Sequence, residues 1–217
     1  MTKAADNEAL VRKTQAELRA KGFYLGRVDG HAGPKTREAI RAVMRAYGFV
    51  NPPLPADEHK LRWPGTSDVE MQEFYGQPGD RSETVTITPP YPMVLAWDPS
   101  TPLSRIRCHR LIAEPLEFVL VGIRELGEEF IKQHELDEYG GCWYPRKMRN
   151  GTRWSTHAYG ASIDLSPRRN GLHVRRPQAT MPDEVLDLFE AQGATCLGRA
   201  IGRDYMHAQF TQWPQAA

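Results

Sequence analysis

Four stretches of the chain repeat their apolar residues at the spacing of a helix, and two short stretches near the end alternate them as a strand does. Residues 10–22 carry Leu10, Val11, Leu18 and Ala20, and residues 35–47 carry Ala39, Ile40, Val43, Met44 and Tyr47, which predicts two short amphipathic helices. Residues 115–132 set Leu116, Val119, Leu120, Ile123, Leu126 and Phe130 on one stripe, a helix whose apolar side is core. A further helix is expected over 182–192. Pro182 opens it, Asp183 and Glu184 suit the positive end of its dipole, and Gly193 stops it.

The alternating stretches predict strands. From Ala161 to Leu165 the pattern is that of a half-buried strand aiming Asp164 at one face and Ile163 at a core. Tyr205 to Phe210 puts His207 and Gln209 on one face and Met206, Ala208 and Phe210 on the other. Two neighbouring strands of this kind could bring Asp164 and His207 together. His157 needs a bend to join them, because seven extended residues at about 3.3 Å each would hold it roughly 23 Å from Asp164. Gly160 lies between them and permits the turn.

Turn-forming residues divide the chain. Gly22, Gly26, Gly30 and Gly33 allow tight turns between the first two helices, and Pro34 suits the first turn of the second. Pro52, Pro53, Pro55 and Pro64 predict a semi-stiff linker. The expected domains are therefore a helical module over 1–50, a linker over 51–64 and a larger domain over 65–217. The 217 residues, 40% of them hydrophobic, suffice for two small cores. Helices followed by short strands make the larger domain α+β, with a small antiparallel sheet.

Chemistry concentrates in the strand region. Two imidazoles and a carboxylate, His157, His207 and Asp164, are the donor set of a catalytic zinc site, where a fourth position stays open and water becomes the nucleophile. The other histidines, His31, His59, His109, His134 and His173, have no comparable spacing. Asp204 would be the general base that takes the water's proton and returns one to the leaving amine. In a regular strand it would lie about 10 Å from His207 and on the wrong face, so a bend or bulge is expected before His207.

Ser155, His157, Gly160 and Asp164, followed by Asp204 and His207, form a pattern S-x-H-x-x-G-x-x-x-D with a later acid-x-x-H. It resembles zinc D-alanyl-D-alanine carboxypeptidases and VanX/VanY-type dipeptidases, and especially the L-alanyl-D-glutamate endopeptidase endolysins of bacteriophages. The resemblance implies zinc on His157, Asp164 and His207, and catalysis by Asp204. Aspartate rather than glutamate at 204 points to the endopeptidase branch. Ser162 departs from the alanine usual at its place but stays small. The stretch GGCWYPRKMRNG, residues 140–151, resembles the segment that supplies an arginine before the first zinc histidine. By that resemblance Arg146 stabilises the oxyanion or binds a substrate carboxylate. Arg149, Ser155, Trp154 and Tyr144 are the candidate substrate contacts, although Trp143, Tyr144 and Trp154 could equally pack a loop.

The first module resembles the small three-helix peptidoglycan-binding domain, through Gln15, Leu18, Gly22, Gly26, Val28, Asp29, Gly30, Gly33 and Thr36. Val43 and Met44 replace the usual phenylalanine–glutamine pair. Tyr24, Arg27 and Asp29 are candidate wall contacts, with Asp29 also suited to bracing its own turn. The implied partner is bacterial peptidoglycan.

Charge fits an anionic wall. Residues 1–50 hold ten Lys and Arg against five Asp and Glu, a net +5 in a chain of net +1. Basicity alone would also permit DNA, but the turn signature favours the wall over nucleic acid. Arg168 to Arg176 reads as a solvated loop. Cys108, Cys142 and Cys196 are odd in number and lack C-x-x-C spacing, so reduced thiols are expected. No signal-peptide or membrane-span pattern occurs, which predicts accumulation in the cytoplasm of the producing cell and action on the wall after release; a monomer is expected.

Overall fold

The computed structural model describes residues 3–24, 26–30, 35, 36, 39, 63–149 and 151–213. Of the helix expected over 35–47, Lys35, Thr36 and Ala39 are described, all helical. The rest of it, His31, Gly33, Pro34, His59 and the linker prolines before Trp63 lie outside the described residues. The chain separates into two compact units, Met1–Glu58 and His59–Ala217.

In the first unit a helix runs over Lys3–Ala20, starting seven residues before the apolar pattern does, through a stretch with the good helix formers Ala4, Ala5 and Glu8. Gln15 organises the turn that follows. Its side chain is buried, its Oε1 accepts the backbone N–H groups of Asp29 and Gly30 at 2.9 Å each, and its Nε2 donates to Thr36 Oγ1 at 2.8 Å and Asp29 Oδ1 at 2.9 Å. Tyr24, a candidate wall contact by sequence, is instead core: it is buried with Leu18 and Ala39, and its hydroxyl donates to Arg27 O at 2.8 Å. Arg27 and Asp29 are exposed.

The second unit is α+β. A two-stranded antiparallel ribbon joins β1 (Thr84–Ile87) to β4 (Ile106–His109). The main sheet has six strands in the order β3-β2-β5-β6-β8-β7, with β2 Met93–Leu95, β3 Asp98–Leu103, β5 Glu138–Gly141, β6 Ser162–Leu165, β7 Thr195–Cys196 and β8 His207–Gln209. Every ladder in it is antiparallel except β2 with β5. The helix expected over 115–132 is two helices, Ala113–Glu125 and Glu128–Gln133, because Gly127 takes φ +100° and breaks the run. Leu116, Val119, Leu120 and Ile123 are its buried face. It packs closely on the helix Asp183–Ala191: a Cβ added at Gly122 would meet Leu188 Cδ2 at 2.6 Å.

β6 was expected to be half-buried and is buried at all four positions. It lies between β5 and β8 in the middle of the sheet, so both its edges are paired, and layers packed on the sheet cover both its faces. Ile163 and Leu165 join the core with Ile106, Ile112, Leu136 and Phe210, and Tyr75 ties into it by donating to Phe210 O at 2.6 Å. No helix among the described residues is long and apolar enough to cross a membrane.

Candidate metal centre

β6 and β8 pair in a register that sets Asp164 directly opposite His207. His207 Nδ1 is 2.8 Å from Asp164 Oδ1. The turn expected before β6 is a short 3-10 helix, Thr156–Tyr159, closed by Gly160 at φ +67°. Here only glycine fits, since a Cβ would lie 2.8 Å from the His109 backbone nitrogen. Ser155 caps this helix by accepting from the His157 N–H. His157 Nε2 thereby comes to 3.3 Å from Asp164 Oδ2, and the two imidazole centres stand 5.0 Å apart. One donor atom from each of His157, Asp164 and His207 lies within 4.8 Å of the others, and among the described residues this is the one His/Cys/Asp/Glu group with that geometry.

The hydrogen bonds around the cluster decide its protonation. His157 Nδ1 faces the Cys142 carbonyl at 2.9 Å, an acceptor only, so that nitrogen carries the hydrogen and Nε2 keeps its lone pair. His207 Nε2 faces Gln209 Oε1 at 3.2 Å and Thr156 Oγ1 at 3.4 Å. The Gln209 amide nitrogen donates to Thr211 at 2.6 Å, which turns its oxygen to the imidazole. The Thr156 hydroxyl donates to Ser162 at 2.9 Å, leaving its lone pairs for His207. The serine that stands at 162 therefore braces the site. With Nε2 as the donor, His207 presents the Nδ1 lone pair to the centre. His157 Nε2, His207 Nδ1 and the Asp164 carboxylate then converge, and a cation there would replace the hydrogen that His207 Nδ1 shares with Asp164. Two nitrogens and one oxygen fit zinc.

Without a cation, a proton on His207 is the natural partner of the Asp164 carboxylate. Burial opposes ionisation of Asp164, yet the charges and hydrogen bonds of His157 and His207 outweigh it and hold the carboxyl far below its ordinary value. Burial likewise opposes a proton on His207, but the hydrogen bond to Asp164, the charges of Asp164 and Asp204, and Gln209 together raise its pKa.

Asp204 occupies the expected bend. Its φ is +62°, a left-handed conformation that aspartate tolerates better than most residues, and the His207 N–H bonds back to its carbonyl at 3.1 Å. The side chain is buried, and Oδ1 has no hydrogen-bond partner among the described residues. Burial raises its pKa, opposed by His207, reinforced by Asp164 and opposed again by His157. A buried, unpartnered carboxylate oxygen beside a cation site suits a group that exchanges protons with water and substrate.

The remaining sequence candidates are distributed unevenly. Arg146 is half-buried; its carbonyl accepts the Ser155 N–H at 3.1 Å and its Nη1 contacts Lys147 O at 3.3 Å, so its backbone tethers the His157 turn. Arg149 is exposed on the loop between Lys147 and Trp154, which form a β-bridge. Trp154 packs partly on the core under the Lys147 ammonium at 3.9 Å, whereas Tyr144 is 64% exposed. Ser155 is buried and holds His157. Within the basic segment, Arg168 pairs with Glu138 and Arg169 with Glu135. The three cysteines are free and buried.

Sequence reasoning passed over Cys142, Thr156, Gln209 and Gly140 as parts of the site. Gln209 gave a signal, two residues after His207 on the same strand face. Gly140 gave none: a Cβ there would stand 2.9 Å from Asp164 Cβ, a contact that only the folded sheet reveals.

Residues 149–210 match a family model described as D-alanyl-D-alanine carboxypeptidase. The matched segment contains His157, Asp164, Asp204 and His207, and begins three residues after Arg146. Residues 7–50 match a family model of a peptidoglycan binding domain. No curated protein and no solved structure matches the chain. The two family matches support a peptidoglycan hydrolase whose peptidase segment follows a wall-binding module.

Proposed function

We propose that this chain is a zinc-dependent peptidase that cuts the peptide stem of peptidoglycan, at the L-alanyl-D-glutamate bond. The observation that carries the reading is the convergence of His157 Nε2 and His207 Nδ1 on the Asp164 carboxylate, with the buried, unpartnered Oδ1 of Asp204 as a further carboxylate oxygen. His157 Nε2, Asp164 and His207 Nδ1 would hold the metal. Zinc bound there supplies Lewis acidity, which makes water nucleophilic near neutral pH and polarises the scissile carbonyl.

The protein's own groups do the rest. Asp204 accepts the proton of the attacking water and delivers it to the departing amine, and its raised pKa brings it nearer the pH at which both transfers are efficient. Arg146 offers a guanidinium to the oxyanion. The first unit holds the enzyme on the wall and raises its effective substrate concentration.

Aspartate at 204 supports the endopeptidase. A D,D-carboxypeptidase is the second reading, favoured by the description of the family matched over 149–210. Mass spectrometry of peptidoglycan digested by zinc-loaded protein separates them. New peptides beginning with D-glutamate support the first; loss of terminal D-alanine alone replaces it with the second.

A further inference from the structure

Arg175 and Arg203 face each other across an isolated antiparallel bridge. Residues directly opposed in this way point to the same side, with β-carbons about 5 Å apart, and like charges so placed repel. The bridge adjoins Asp204, whose N–H reaches Val174 O at 3.3 Å, and the Arg203 charge acts on the Asp204 carboxyl.

Other arginines nearby are neutralised by acids. Arg169 meets Glu135 at 3.0 Å, Arg176 meets Asp183 at 3.1 Å, and Arg199 meets Asp187 and Glu190 at 2.7 Å each. Arg175 and Arg203 have no ion pair and no side-chain hydrogen bond among the described residues. Arg175 is exposed and Arg203 half-buried. The pair is thus a repulsive cationic site next to the proposed proton donor, and an anion between the two guanidinium groups would relieve it.

In the proposed reaction the leaving residue brings such an anion toward Asp204. Asp204 delivers its proton to the leaving amine, and the carbon bearing that amine also bears the α-carboxylate of the leaving residue. D-Glutamate linked onward through its side-chain carboxyl keeps that group free, as does a terminal D-alanine. We propose that Arg175 and Arg203 form an anion subsite that binds the α-carboxylate of the leaving residue and selects stems in which it is unblocked. The inference rests on the hydrolase reading above. It predicts that walls with amidated D-glutamate resist the enzyme.

The test uses the full chain, zinc-loaded, with two synthetic stem peptides that differ only in carrying an α-carboxylate or an α-carboxamide on D-glutamate. Charge-assisted hydrogen bonds of about 1.5–3 kcal/mol correspond to a preference of about 10- to 140-fold in kcat/KM for the carboxylate. Arg175→Gln with Arg203→Gln should bring the ratio of the two peptides near one, mainly through KM, while the two lysine substitutions keep part of it. An unchanged ratio in the double glutamine variant overturns the subsite. Calorimetric binding of peptides beginning with D-glutamate or its α-amide gives the same ratio without turnover. If neither stem peptide is cut, the hydrolase reading fails; a binding preference that the double variant abolishes still supports the subsite, and no preference overturns it.

Discussion

Asp164 and His207 stand opposite each other on adjacent antiparallel strands, with Nδ1 2.8 Å from Oδ1, and the outer nitrogen of His207 is turned toward Gln209. A strand register, rather than a loop, fixes two of the three candidate ligands. This precision is what a metal site requires of its scaffold.

Gln209 sets the tautomer of His207 and should therefore matter to a metal that it does not touch. Gln209→Leu is expected to weaken zinc affinity by about 10- to 100-fold, as loss of an outer-sphere partner does. Gln209→Glu, which keeps an acceptor, should restore most of it. Competition titrations with a zinc chelator measure both; equal affinity in wild type and the leucine variant would remove Gln209 from the site.

Asp204 and His157 should separate chemistry from binding. Asp204→Asn is expected to retain zinc and lose about 10²- to 10⁴-fold in kcat, the range for a general acid–base group. His157→Ala should lose both metal and activity. Metal analysis beside peptide turnover checks this, and equal zinc loss in the two variants would end the division of roles.

Gly140 must lack a side chain because a Cβ would stand 2.9 Å from Asp164 Cβ and 3.2 Å from Pro167 Cγ. Gly140→Ala should destabilise the folded protein by about 1–3 kcal/mol, the usual cost of overpacking, and lower zinc affinity by displacing the carboxylate. Chemical denaturation with zinc titration tests it. Unaltered stability and affinity would show that the sheet yields there.

Zinc and a proton compete for His207. Its folded pKa is raised, so without metal the charged pair with Asp164 contributes fully below the unfolded value of about 6.5 and is lost as pH rises through the raised value. Asp164, whose pKa is depressed, keeps its contribution above the unfolded value of about 3.9 and loses it as pH falls from there through its folded value. The metal-free form therefore weakens as pH rises from about 6.5 through the raised value, just where zinc meets less competition. The gap in Tm between zinc-saturated and chelated protein should widen from pH 6 to pH 8; a gap that narrows would contradict the assignment.

In the first unit, Gln15→Ala removes the acceptor for the Asp29 and Gly30 N–H groups. Leaving the buried Gly30 N–H unsatisfied costs about 1–3 kcal/mol. Retention on sacculi in a pelleting assay should fall, while hydrolysis of a short soluble stem peptide stays near wild type. Loss of both would mean that the substitution unfolds more than the first unit.

The candidate ligands were legible in the sequence because their chemistry is carried by residue type and spacing: His157, Asp164 and His207 suggest a metal before any fold is known. The bend at Asp204 was legible too, since a regular strand would have misplaced it. Less visible was what depends on the sheet as a whole. Nothing local shows that β6 is covered on both faces, or that β2 runs parallel to β5. The break at Gly127 was hidden by an apolar stripe that continues through Leu126 and Phe130. The part of Cys142 in the site is a backbone carbonyl, which no side-chain pattern reports, and Tyr24 looked available for the wall until Leu18 and Ala39 closed over it.

Release of free amines from purified sacculi, followed with zinc-loaded protein, with chelated protein and after zinc is restored, tests the central claim most directly. The account predicts release that chelation abolishes and zinc recovers. Release that continues unchanged in the chelated protein would contradict it, as would no release from walls of several chemotypes by protein carrying one zinc per chain.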